Sequence, residues 1–246
     1  MLNTFKSLSP LERGTTLRSD TTACLVRAVL KGDLKQGDKL VVRKLAEHLG
    51  VSATPVREAI VELEAIGILE VPPNQSAVIR KFGPQELFEI YHLRGLLETE
   101  ATRLSCNRIP QERLAKSKGE IGELLKESHS AGTPQWMAKA LEQDRLLHRI
   151  VAHYCGLGRL FHEIGRYTKL MEVISEAVGN EHNGLLQMLK DHQRIVEAML
   201  MRDPEIASRR MGEHIHTSAL NDIGVLYGPA AVEQVKNPNP VMQAFL

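Results

Sequence analysis

Apolar positions recur at helical spacing from near the start of the chain. Over 19–31, Cys24, Leu25, Ala28 and Val29 fall three or four residues apart, and the run stops at Gly32. Over 42–49 the pattern returns with Leu45, Ala46 and Leu49, and Gly50 is a natural left-handed stop. After Val51-Ser52-Ala53 the spacing predicts a third helix, capped by Thr54 with Pro55 at its first position. Its stripe is Val56, Ala59, Ile60, Leu63 and Ile66. Two helices joined by a short Gly-containing turn form a helix-turn-helix. Strand-like runs at 68–71 and 77–80, joined by Pro72-Pro73-Asn74-Gln75-Ser76, predict a two-stranded ribbon and so a winged variant.

Beyond Phe82-Gly83-Pro84 the pattern is helical throughout. Six segments are expected, at 84–107, 110–129, 134–154, 157–178, 182–202 and 204–226, with breaks at Pro or Gly between most of them. The fold expected is mainly α. A winged helix-turn-helix occupies 1–82, an antiparallel bundle of about six helices occupies 83–227, and 228–246 is expected to be a flexible tail.

Composition adds one thing to this division. The 246 residues carry a net charge of only +1, with 43% apolar and 25% charged residues, as in an ordinary soluble protein. That near-neutrality is a cancellation. Residues 1–82 hold 12 Lys+Arg against 9 Asp+Glu, whereas the rest hold 19 against 21 and nine of the ten histidines. Three scattered cysteines exclude a disulfide framework, and no apolar run is long enough to span a bilayer. With no secretory signal at the start, a cytoplasmic location without a membrane partner is expected.

The chemistry of the first module suits DNA. The first turn of a recognition helix aims side chains at base edges, and here it offers Ser52, Thr54 and Arg57. Arg57 can pair with guanine O6 and N7, and Arg43 opens the preceding helix. The plainer reading is a small helical module with surface arginines. The stretch LAEHLGVSATPVREA, Leu45 to Ala59, resembles the signature of the GntR family of bacterial transcription regulators, close to LAExLGVSRTPVREAL. AVLKGDLKQGDKL before it is similar to the family's first helix and connector. The resemblance implies double-stranded DNA contacts by Arg43, Ser52, Thr54 and Arg57, and by the wing around Asn74, Gln75 and Ser76. Two departures stand out: Ala53 where an arginine is usual, and Gln75-Ser76 where Arg-Gly is common. Each lost cation weakens the salt-dependent part of DNA affinity.

In the second module three histidines and a carboxylate lie on inward stripes. Asp144 and His148 stack at i,i+4 beside Leu141 and Val151; His192 shares a stripe with Leu185, Leu189, Val196 and Met199; His214 shares one with Ala207, Met211 and Ser218. Imidazole and carboxylate together suit zinc or nickel, with iron or manganese as further candidates. Taken singly, each histidine reads as a hydrogen-bonded core residue. His129, His153, His162, His182 and His216 do not converge and are expected at the surface or behind the ligands.

RGLLE at 94–98, DRLLH at 144–148 and DHQRIVEAM at 191–199, followed by His214, resemble the FCD (FadR C-terminal-like) effector domain of GntR regulators. Its metal-binding members use one Asp and three His, which map onto Asp144, His148, His192 and His214. Leu147 stands where Phe is usual. The family's preference for organic acids suggests a small carboxylate held by Arg94, which sits on the inward stripe Leu87, Ile90, Tyr91, Leu97 and Ala101. A buried guanidinium needs an anion. Glu98, one turn on, is the simpler partner.

The function expected is therefore a metabolite-responsive transcription regulator, acting as a homodimer on a two-fold symmetric operator. A metal-dependent enzyme with a DNA-binding appendage, or a metal-free regulator sensing an acyl ligand, are the alternatives.

Overall fold

The computed structural model describes residues 8, 17–127, 132–178 and 182–236. The chain divides into two compact units, Met1–Glu86 and Leu87–Leu246.

In the first unit α1 (Leu17–Leu30), α2 (Val42–Leu49) and α3 (Ala53–Ala65) bury the expected stripes. Leu25, Leu45, Leu49, Val56, Ala59 and Leu63 have no exposed surface. Thr22 on α1 donates to Glu62 on α3 at 3.2 Å, and Arg18 pairs with the same carboxylate at 3.4 Å. Gly50 closes α2 at φ 69°, where its N–H donates to the Ala46 carbonyl, so a side chain here would strain the turn.

Two details differ from the sequence reading. The first is the start of α3, which begins at Ala53 with Ser52 in the cap position; Thr54 and Pro55 lie inside the first turn. Ser52 and Thr54 are both short hydroxyl residues, and Pro55, which lacks an N–H, fits any of the first three helical positions, so the proline does not choose between them. The second is the sheet, which has three strands in the order β1 (Lys39–Leu40), β3 (Ala77–Ile79), β2 (Leu69–Glu70), all antiparallel. Lys39 faces Val78 and Leu69 faces Ile79 in the register. A two-residue strand carries no alternation, so β1 was invisible in the pattern. Asn74 turns the wing at φ 59°, a left-handed conformation that asparagine tolerates, and the Gln75 N–H donates to the Pro72 carbonyl.

The second unit is built from α4 (Pro84–Ser105), α5 (Gln111–Lys126), α6 (Pro134–Tyr154), α7 (Gly158–Val178), α8 (His182–Leu200), α9 (Pro204–Tyr227) and α10 (Pro229–Lys236). The helix α8 packs on α9, α5 and α6, which makes it the centre of the bundle. Thr133 and Asp203 cap α6 and α9 by accepting from Trp136 N and Ile206 N, each followed directly by a proline. Arg202, at φ 57°, donates to the Cys106 and Ile109 carbonyls and so satisfies the groups that follow α4.

The expected tail needs correcting. Its first part is α10, which packs on α9 with Ala231 and Val235 buried; the short stripe between Gly228 and the Asn-Pro-Asn-Pro segment was too brief to read. Residues 237–246 lie outside the described residues. Among the described residues no helix is long and apolar enough to cross a membrane.

Candidate functional site

Asp144 and His148 from α6, His192 from α8 and His214 from α9 meet inside the bundle. One donor atom from each lies within 4.8 Å of the others. Asp144 Oδ1 is 3.5 Å from both His148 Nε2 and His192 Nε2, and His192 Nε2 is 3.1 Å from His214 Nε2. Helical spacing does this work: i,i+4 stacks the first pair, and buried stripes on α8 and α9 aim the other two rings at it. All three rings are buried, while Asp144 keeps 29% of its side chain exposed toward a cavity.

The electrostatics fit a cation. Burial lowers His192 well below the usual histidine range, and the neighbouring His214 lowers it further. Burial lowers His214 too, with Asp191 partly offsetting it. Both rings are therefore neutral and hold lone pairs, the state a metal binds. Two Nε2 atoms 3.1 Å apart satisfy each other only if one carries a hydrogen. Among the described residues, neither Nδ1 has a hydrogen-bond partner, and His214 Nδ1 stays 3.9 Å from Asp191 Oδ2. Burial would raise Asp144, yet the hydrogen bond and charge of His148 hold it far below the usual carboxylate range. Two neutral imidazoles with unpartnered Nδ1 atoms, together with His148 and the Asp144 carboxylate, make a donor set for a borderline divalent ion.

Glu98 does more than the expected pairing with Arg94. That pair forms, with Arg94 Nε donating to Glu98 Oε1 at 2.5 Å. The other carboxylate oxygen takes a hydrogen bond from His148 Nδ1. Burial alone would raise Glu98, but Arg94 and His148 hold it down at about 2. Burial would likewise lower His148, and the Glu98 charge reverses that to about 9. With Nδ1–H given to Glu98, His148 turns its Nε2 to the centre, 3.5 Å from Asp144 Oδ1 and 3.1 Å from Arg94 Nη2; this ring is charged at neutral pH and has to give up its Nε2 proton to hold a metal.

Arg94, Asp144 and His214 line a cavity of about 230 Å³ together with Tyr91, Asp222 and several polar and apolar side chains. A smaller space of about 80 Å³ shares Arg94, Asp144, Met171 and Ser175. Arg94 is thus both paired with Glu98 and presented to a cavity. Of the remaining histidines, His216 packs its ring edge-on to Phe88 and is exposed, and His153 and His162 flank Phe161. None of these three is among the convergent donors. His129 and the His182 side chain lie outside the described residues.

In the first unit Arg43, Arg57, Asn74 and Gln75 line one groove of about 800 Å³ between α2, α3 and the wing, with Ala53 on its floor. Ser52 and Thr54 are exposed at the start of α3 but lie outside that groove's lining. Glu47 and Glu64 line it too, and Arg43 donates to Glu47 at 2.9 Å. The groove is of mixed charge.

Comparison with known proteins gives two family matches. Residues 17–79 match the bacterial regulatory proteins of the gntR family, and residues 89–217 match the FCD domain. The HTH-type transcriptional regulator McbR of Escherichia coli (strain K12) is 34% identical over 122 residues, which cover 50% of this chain and 53% of that protein. The chain therefore aligns with only about half the length of that relative. The probable D-xylose utilization operon transcriptional repressor of Paenarthrobacter nicotinovorans is 29% identical over 204 residues, 82% of this chain and 86% of the relative. The solved structure of E. coli McbR/YncC shares the fold, with a TM-score of 0.58 and 24% identity over 87% of this chain and 98% of that one.

Proposed function

The chain belongs to the GntR family of bacterial regulatory proteins, with an FCD domain behind a DNA-binding head, and from this we propose that it is a cytoplasmic repressor or activator whose operator binding is set by a small carboxylate at a divalent metal. One observation carries this reading: three buried Nε2 atoms and an aspartate oxygen converge within 4.8 Å at the wall of a cavity that also receives an arginine.

Asp144, His148, His192 and His214 would hold the ion, zinc or nickel first, with iron or manganese as further candidates. A bound ion would supply positive charge that attracts the oxygens of a carboxylate. Glu98 accepts from His148 Nδ1, so Nε2 is the nitrogen the ring would offer an ion on losing its proton. Arg94 Nη2, 3.1 Å from that nitrogen, would be placed to meet the carboxylate of an effector held by the ion. Arg94 Nε stays on Glu98, which keeps the guanidinium aimed. A cavity of about 230 Å³ with a largely polar end suits a small polar acid better than an acyl chain.

On the DNA side Arg57, Asn74 and Gln75 would read or position the operator from the groove. Ser52 and Thr54 would meet phosphate at the helix start, and Arg43 would have to exchange Glu47 for phosphate. A homodimer would place two such heads on symmetric half-sites. Effector binding then acts by favouring one arrangement of the heads.

The test is elemental analysis of purified protein beside His192→Ala. About one transition-metal ion per chain is expected in the wild type and a large loss in the variant, with non-specific DNA affinity retained. Wild-type protein that carries no metal and takes up none from zinc or nickel solution would refute the reading.

A further inference from the structure

The cavity beside the histidines has a second end. Tyr91 on α4 donates its hydroxyl hydrogen to Asp222 Oδ2 on α9. Asn221 Nδ2 lies 3.2 Å from the other oxygen of the same carboxylate. Tyr91 and Asp222 line the same space as Arg94, Asp144 and His214. Eight residues separate His214 from Asp222 on one helix, so Asp222 sits about 12 Å further along the axis at a 1.5 Å rise per residue. The cavity is therefore polarised along its length. A candidate cation site and a guanidinium mark one side, and a carboxylate held by two neutral donors marks the other, where burial raises the Asp222 carboxyl and its hydrogen bonds and Arg94 partly offset this.

That polarity is selective. Each oxygen of Asp222 receives one donor and retains capacity for another. A hydroxyl arriving there would satisfy it, whereas a second carboxylate would meet a like charge in a partly desolvated space. Among the described residues that line the cavity Arg94 is the one Lys or Arg, and its Nε is held by Glu98. Among the described lining residues no further Lys or Arg is therefore present to neutralise a second anion. The walls between the ends carry Ser175, Thr217 and Ser218, neutral groups that both donate and accept, as hydroxyls do.

We propose that Asp222, oriented by Tyr91, sets the specificity of this cavity for small monocarboxylates that bear a hydroxyl at the far end, and excludes dicarboxylates. This rests on the reading that the metal and Arg94 end receives a carboxylate. It adds what the opposite end requires of the same molecule.

The test is calorimetric titration of zinc-loaded, full-length protein with matched straight-chain acids of four, five and six carbons. At each length the terminal group is methyl, hydroxyl, carboxylate or ammonium, so the series varies only at the Asp222 end. For the best-fitting length the hydroxy acid is expected to bind at least about tenfold more tightly than the diacid, and more tightly than the methyl compound. In Asp222→Asn, with zinc content and circular dichroism unchanged, the diacid gains and the gap closes to about threefold or less. Equal binding of hydroxy acid and diacid in the wild type overturns the proposal while leaving the carboxylate reading intact. So does a gap that survives in Asp222→Asn. Tightest binding of the ammonium compound overturns the hydroxyl assignment in favour of an amino acid. If none of the acids binds, the carboxylate reading itself fails and this proposal falls with it. Should Asp222→Asn fold poorly, Asp222→Ser replaces it, and the wild-type ranking remains decisive.

Discussion

Glu98 joins the arginine and the histidine that matter most, and at the scale of a single residue its cost and benefit can be weighed. A buried carboxylate is unfavourable by itself; Arg94 on one oxygen and His148 on the other reverse this and hold the group at about 2, against 4.5 when free. A depressed acid stabilises the fold above its unfolded pKa and loses that contribution as pH falls through its folded one. For Glu98 the contribution is whole above about pH 4.5 and gone near pH 2, and amounts to roughly 3 kcal/mol. Metal-free Glu98→Gln should therefore unfold more readily than metal-free wild type at pH 7 by about that amount or more, since Arg94 is left buried without its anion. Urea melts read this, and the gap should narrow as pH falls toward 3. A gap equal at both pH values would show that the lost interaction was packing and not charge.

For elements, the start of α3 is the informative place. A helix N-terminus offers unsatisfied N–H groups that favour phosphate, and Ser52 holds the cap position without a side-chain cap hydrogen bond, so its hydroxyl is uncommitted there. Ala53 takes the first helical position, half-buried, beside the groove that Arg57 and the wing share. Adding a cation at this point should strengthen contact with any duplex. Ala53→Arg is expected to steepen the dependence of log affinity on log salt by about 0.9 per subunit. Fluorescence anisotropy on a duplex of unrelated sequence measures it. An unchanged slope would mean that this helix start does not approach the phosphates.

At the scale of the whole molecule, the division into two compact units has a thermodynamic consequence. The candidate ligands all lie in the second unit, on α6, α8 and α9. A ligand stabilises only the cooperative unit whose native state it binds, by about 2.7 kcal/mol when present at a hundred times its Kd. Calorimetric scans with zinc or nickel should therefore show the transition of the second unit moving up while that of the head stays in place. Equal movement of both would show that the units unfold as one, and movement of neither would argue against a metal in the bundle.

The helices and their inward faces are legible in the chain alone, because periodicity of apolar residues is a local property that burial then enforces. The six long helices of the second unit follow the expected breaks closely, and the stripes that carry His148, His192 and His214 are the buried ones. Local pattern failed where elements were too short to have a period, at Lys39–Leu40 and at Pro229–Lys236. Which distant side chains share a partner depends instead on how the helices pack. Nothing within five residues of Glu98 announces that His148, 50 positions on, will donate to it. Nor does the sequence near Tyr91 reveal a hydrogen bond to Asp222 across 131 positions. Those contacts exist because the bundle crosses α4 with α6 and α9 at particular heights. A sequence records each helix's inward face without recording the height at which another helix meets it.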